Sequence, residues 1–308
     1  MPRNAFHEGE LAVQRRAGRV LTGRIRDTFP PVAAEFASRQ LFCVAAGRDE
    51  HGHVWTTMLA GPSGFMSADD DRTLHVRARP AEDDPLHRLL TEGGDVGVII
   101  MDSRRRMRVN GVLSPAEDGF VVRSDQVFSN CGRYISERLA TPVPARRTGA
   151  ARQGVELLEE QQELIERADT FFVGTRHPDG AADASHRGGN PGFVRVTGPR
   201  SLHWPDYDGN AMFMTLGNLQ LDPRVGLLFV DWAEGSLLHV TGQAEVDWEP
   251  AAASRMPGAL RVVRMTVDAV RQRDHAVGLR WAPPVLSRYN PAPEGPSDCG
   301  PQSSRASG

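Results

Sequence analysis

The side chains best suited to chemistry in this chain lie between Asp183 and Trp232. Ser185, Arg187, Gly188, Gly189 and Asn190 crowd one stretch, and Asp206, Asp208, Gly209 and Asn210 crowd a second. Turns made of glycine and short polar residues present backbone N–H groups and side-chain donors, and an arginine beside them suits an anion such as a phosphate. On these stretches alone two ordinary β-turns are the simpler reading, because turns use the same residues for backbone reasons. Gly188-Gly189-Asn190-Pro191-Gly192 has the glycine density of a dinucleotide fingerprint. It leads into the alternating strand Phe193-Val194-Arg195-Val196 rather than a helix, which excludes the Rossmann reading.

The sequence contains no lysine, so all 36 basic side chains are arginine. That excludes a lysine Schiff base and a Walker A loop, and leaves any anion to arginine, hydroxyls, amides and backbone N–H. Cys43, Cys131 and Cys299 are isolated, so no disulfide framework or paired-cysteine metal site is expected; Cys131 is read as a packing residue. His51 and His53 flank Gly52 in an expected surface turn without a third ligand. Arg104-Arg105-Arg106 reads as a solvated strand start, and Asp268 and Asp274 have no claim to acid–base work.

The elements that must position these residues follow from length and periodicity. A chain of 308 residues exceeds what one core usually organises, so two domains are expected. A net charge of −3 argues against nucleic acid or an anionic membrane as the main partner. The first 18 residues lack an apolar signal segment and no run approaches the ~20 residues of a membrane span, so the cytoplasm is the expected location. Helices are expected at residues 8–17, 31–39, 85–91, 132–138 and 156–167, with strands at 41–46, 54–59, 96–101, 106–113, 171–174 and 225–230. Residues 141–153 are rich in Pro, Ala and Arg without periodicity and read as a linker; from Tyr289 onward the composition is that of a disordered tail.

The pattern before the linker recurs after it. Gly61-Pro62-Ser63-Gly64-Phe65-Met66 answers Gly189-Asn190-Pro191-Gly192-Phe193-Val194 at an offset of 128, Val96-Gly97 answers Val225-Gly226 at 129, and Val109-Asn110-Gly111 answers Val240-Thr241-Gly242 at 131. Matches in one order with a drifting offset imply two similar antiparallel β units. The expected boundaries are 1–140, a linker at 141–153, 154–288, and a tail at 289–308. Such units can cover each other's sheet faces as a homodimer's would. Only the second keeps the polar turns: Thr57-Met58-Leu59-Ala60 stands opposite Ser185-His186-Arg187-Gly188, and an acidic stretch from Glu82 to Asp84 replaces Gly209-Asn210.

With these stretches, and with FHEGELAVQRRAG from Phe6, RRRMRVNG from Arg104, NCGRYI from Asn130 and TLGNLQLDPRVGLLF from Thr215, the sequence resembles the FMN-binding split-barrel proteins of the pyridoxamine 5′-phosphate oxidase-like family. The resemblance is closest to a bacterial branch with two barrel halves. It implies a mainly β fold with short helices, two tandem split β-barrels, and FMN at their interface. Carried over by position, it implies Ser185 and Arg187 on the strand-end turn and Val194 and Arg195 beside ring or phosphate. Asp206, Gly209 and Asn210 fall at the phosphate loop, with Thr215 and Asn218 opening the next helix. His203 and His239 either face the flavin or are structural. The Ser-x-Lys phosphate grip and the C-terminal Arg-rich segment of the vitamin B6 enzyme are missing, which argues against pyridoxamine phosphate as substrate.

The function implied is a flavoprotein oxidoreductase with no catalytic residue assigned and no metal, exchanging electrons with a small-molecule donor and acceptor as an intrachain pseudo-dimer or a homodimer of it. The deazaflavin F420 or haem are alternative cofactors. The competing readings are a carrier of flavin or haem without turnover and an interaction module with a decayed site.

Overall fold

The computed structural model describes residues 5–21, 25–144, 146 and 149–292. Most of the expected tail, Cys299 with it, and three positions of the expected linker lie outside the described residues. The elements in chain order are α1 (Glu8–Arg16), α2 (Pro31–Ser38), β1 (Phe42–Arg48), β2 (Val54–Ala60), β3 (Met66–Ala68), β4 (Thr73–Val76), α3 (His87–Glu92), β5 (Gly94–Met101), β6 (Arg106–Ala116), β7 (Gly119–Asn130), β8 (Ala140–Pro142) and β9 (Arg152–Gly154). There follow α4 (Glu159–Glu166), β10 (Thr170–Arg176), β11 (Ala182–Gly188), β12 (Arg195–Gly198), β13 (Ser201–Asp206), α5 (Met214–Leu221), β14 (Arg224–Asp231), β15 (Ser236–Asp247), α6 (Pro250–Ala253), β16 (Arg261–Arg273) and β17 (Leu279–Trp281). The fold is mainly β with short helices, as expected. Among the described residues no helix is long and apolar enough to cross a membrane.

Two antiparallel sheets carry the chain. The first runs β2-β1-β5-β6-β7-β4-β3 and the second β11-β10-β14-β15-β16-β13-β12, with β9 added beside β16. Matching strands in sequence order makes the two paths identical. Each also breaks register at the same place, between Asn110 and Gly111 on β6 and between Thr241 and Gly242 on β15. At both glycines a Cβ would run into the neighbouring strand's backbone, so the bulge and the residue type require each other.

The strands read as unbroken apolar runs because both of their faces are covered. In β1, Cys43 and Ala45 face a core with Trp55, Ile100 and Phe120, whereas Val44 and Ala46 face a cluster shared with Phe172, Ala184 and Leu228 of the second sheet. The second sheet's own core holds Phe171, Trp204 and Phe229. The shared layer is tight at two glycines. A Cβ on Gly97 would lie 2.6 Å from Ala184 N, and one on Gly226 would lie 2.5 Å from Val54 O. Across the same layer the hydroxyl of Thr56 donates to Gly226 O at 2.9 Å and that of Thr241 to Val54 O at 2.7 Å.

One expected element is missing. Residues 132–138 form no helix but an irregular segment in which Tyr134 has φ of 64°. The sequence there has no apolar stripe to bury, and Arg133 and Tyr134 are turned toward a cleft instead.

Candidate functional site

The cleft opens where the end of β11, the loop after β13, the start of α5 and the ends of β6 and β7 converge. It combines a polar pit of about 100 Å³ with a groove of about 1000 Å³, joined at Arg106, Asn130, Asn210 and Met212. The groove is more apolar and includes Ile25, Phe36, Met107 and Phe128. Gly188 sits where Tyr134 O passes over β11, so close that a Cβ would collide with it.

Four arginines line the pit: Arg106, Arg108, Arg133 and Arg187. Two are neutralised. Arg108 donates to both carboxylate oxygens of buried Asp183, at 3.1 and 3.0 Å, and Arg133 pairs with Asp208 at 2.7 Å. The other two have no ion pair with a described carboxylate. Arg106 contacts His186 Nδ1 and Arg133 O, and Arg187 donates to His186 O at 3.1 Å. Burial, then the charges of Arg108 and Arg187, push the Arg106 guanidinium down to about 9. Burial likewise lowers Arg187. A guanidinium keeps its charge in a protein; Arg187 has the charges of Asp206 and Asp183 nearby without an ion pair, whereas no carboxylate offsets Arg106, and an anion in the pit would compensate both.

His186 is buried and held well below its ordinary value, first by burial and then by Arg106 and the other arginines. The imidazole is therefore neutral. Its Nε2, Arg106 Nε and Asn130 Oδ1 are buried without a hydrogen-bond partner among the described residues. Backbone strain gathers at the same place. Of the four described non-glycine residues with positive φ, Tyr134, Ala211 and Phe213 line the pit. Tyr134 packs on Tyr207 with ring centroids 5.0 Å apart and donates its hydroxyl to Asp208 O at 3.0 Å.

Of the nine expected ligand residues, Arg187, Asp206, Gly209, Asn210 and Thr215 line the pit. Asp206 does not confront an anion with a bare charge, because its carboxylate accepts from Arg261 Nε at 3.0 Å. Ser185 stands one step behind: Thr215 Oγ1 donates to Ser185 Oγ at 3.0 Å, which donates to Asp183 at 3.1 Å. The other three are elsewhere. Val194 is fully buried in the second core, Arg195 is exposed on β12, and Asn218 lines a separate pocket beside His7. His239 is also remote from the cleft, lying in the layer between the sheets with Nδ1 2.9 Å from Thr56 O.

Sequence reasoning missed Arg106, Arg108, Asn130, Arg133, Tyr134 and His186, most of them from the first half. Arg106 is not a solvated strand start but faces the pit, and exposed Cys131 lines the pit rather than packing. The available signal was the alternation Arg106-Met107-Arg108-Val109-Asn110, which puts two guanidiniums on one face of a strand. At the corresponding place in the first half, Met58 and Leu59 replace His186 and Arg187, and Asp83 is taken up by Arg273 at 2.8 Å.

The family model for pyridoxamine 5′-phosphate oxidase matches residues 157–275. The matched segment, 119 of the 308 residues, is similar to that family. Similar solved structures include HupZ of Group A Streptococcus, 18% identical over 37% of this chain and 91% of that one, with a TM-score of 0.31. A Clostridium acetobutylicum protein related to general stress protein 26, of the pyridoxinephosphate oxidase family, is 15% identical over 40% and 91%, with a TM-score of 0.30. An F420 reductase is 18% identical over 34% and 90%, with a TM-score of 0.26. No curated protein matches. The matched segment supplies β11, β13 and α5 to the cleft, while Arg106, Arg108 and residues 130–134 come from outside it.

Proposed function

We propose that the protein is an FMN-binding oxidoreductase in which the pit receives the phosphate and the groove the ring system. The observation that carries this reading is the pair Arg106 and Arg187, half-buried in one pit and without an ion pair to a described carboxylate. A pit of about 100 Å³ suits a phosphate rather than a whole cofactor, and the adjoining groove has the volume of a small-molecule site. Bound FMN would supply hydride or electron transfer, which needs no nucleophile or triad from the protein. The chain's own part is to hold and orient. Arg106 and Arg187 neutralise the phosphate, Tyr134 and Tyr207 wall the pit, and Thr215 is fixed by Ser185 and Asp183. The identical strand orders and shared bulge position support an internal duplication, with units at 1–140 and 154–288, in which one cleft of a former symmetric pair is kept.

A second reading rests on His186. Its Nε2 is buried without a partner among the described residues, and it becomes a haem-iron ligand only if Arg106 releases Nδ1 and the ring proton moves there. The absorbance spectrum of the purified protein, and of apoprotein titrated with FMN and with haem, separates the two: a flavin spectrum with tight FMN binding supports the first, and a Soret band with haem binding the second. Anaerobic incubation with NADH, NADPH or a reduced deazaflavin then tests turnover. Bleaching and reoxidation over many cycles is the expected result, whereas tight binding with every donor inert would make the protein a carrier.

A further inference from the structure

A separate polar pocket of about 260 Å³ lies between the start of α1, the turn joining β10 to β11, and α5. His7 is the N-cap of α1, Glu8 its first residue, and His177 follows β10 directly. One ligating atom from each of the three lies within 4.8 Å of the others. The imidazole rings of His7 and His177 have centroids 4.7 Å apart, and His177 Nε2 lies 3.5 Å from Glu8 Oε1. Two imidazoles and a carboxylate from segments about 170 residues apart in sequence share one point in space.

The hydrogen bonding decides which atoms are on offer. His177 Nδ1 accepts from Asp179 N–H at 3.2 Å and also lies 2.6 Å from Asp179 Oδ1, so a proton placed on Nδ1 has a carboxylate to receive it and the Nε2 lone pair is then free for an ion in the pocket. That Nε2 is buried without a hydrogen-bond partner among the described residues. His7 Nδ1 accepts from Gly9 N–H at 3.2 Å, so its proton is on Nε2, 3.0 Å from Asn218 Oδ1. An ion at His7 Nε2 requires the ring proton to move to Nδ1, so binding gives up the contacts of Nδ1 with Gly9 N–H and of Nε2 with Asn218. Capping alone explains His7, but it does not explain a second imidazole set against it with Nε2 3.5 Å from Glu8 Oε1.

We propose that His7, Glu8 and His177 form a binding site for a divalent transition metal of the zinc type, with one coordination position left to water. Imidazole with carboxylate selects such an ion over magnesium or calcium, which prefer all-oxygen shells. The ion ties the first turn of α1 to the β10–β11 turn. None of the three residues lines the cleft, so the site stands apart from the FMN reading.

The test uses the full-length untagged protein, stripped with a chelator and titrated with Zn²⁺ by calorimetry and with Co²⁺ by visible absorption. One equivalent is expected to bind, with Co²⁺ d–d bands and a raised melting temperature. Glu8→Gln, an exposed position that leaves folding intact, and His177→Gln are each expected to weaken binding at least ~10-fold. Exposed His51→Gln is expected to change nothing. Absence of stoichiometric binding tighter than about 100 μM, or unchanged binding in both Glu8→Gln and His177→Gln, overturns the site.

Discussion

Arg106 and Arg187 reach one pit from different halves of the chain, and the buried side chain between them is a neutral imidazole rather than a carboxylate. If a phosphate completes this arrangement, truncating either arginine removes a charge-assisted contact worth ~1.5–3 kcal/mol, a ten- to hundredfold loss of FMN affinity. Asn210→Asp, which places a carboxylate at the rim, is expected to act in the same direction. Leu59→Ala and Asp83→Asn, at the corresponding first-half positions, are expected to leave affinity unchanged. Fluorescence titration of the folded variants measures this, and parental affinity in Arg106→Ala and Arg187→Ala would place the phosphate elsewhere. Arg187 was legible in the sequence because glycine and short polar residues surround it. Arg106 was not, since three consecutive arginines look solvated until strand pairing shows which one points inward. Val194 and Arg195 failed for a related reason: the Gly-rich stretch is mostly the end of β11 and its exit turn, so the following residues belong to an outer strand and the core.

Strands were easier to read than the segments between them. Runs such as Phe171-Phe172-Val173 are apolar on both faces because each sheet has its own core on one side and the other sheet on the other. The close approach at Gly97 and Gly226 has no signature beyond the repeat itself, yet it fixes how the sheets meet. Gly97→Ala and Gly226→Ala each force a methyl into backbone less than 3 Å away, with an expected cost of ~1–3 kcal/mol. Denaturant unfolding checks this, and a loss within error would show that the layer tolerates separation. The same layer contains His239, whose pKa burial lowers. The unfolded state therefore binds its proton first. The stability contribution is full above about pH 6.5 and declines as pH falls toward the depressed folded value. Buried His186 adds to the same slope. Unfolding free energy is thus expected to drop between pH 7.5 and 5.5, with a shallower slope in His239→Gln, and a slope unchanged by that substitution would assign the acid sensitivity to other groups.

At the scale of the molecule, the two sheets share a strand order and differ in the polar groups they carry. Both have the same strand order and the same bulge, whereas the basic pit lies at the end of β11 in the second; at the corresponding place in the first are Leu59 and the Arg273–Asp83 ion pair. The pit also needs the first half, because Arg106, Arg108 and Tyr134 belong to it. A fragment ending at Pro144 keeps the first core but uncovers Val44, Ala46, Met58 and Ile99, which are at most 3% exposed in the whole chain. An apolar face of that kind drives self-association. The fragment is expected to aggregate or dimerise, and a fragment beginning at Gly149 to bind FMN weakly or not at all alone. Mixing the two is expected to restore binding, because the pit then regains its second guanidinium. Size-exclusion chromatography and flavin titration of each fragment and of the mixture decide the matter. A monomeric first fragment with cooperative unfolding, or a second fragment that binds FMN as the whole chain does, would show that the halves are independent and that the shared layer is not what assembles the site.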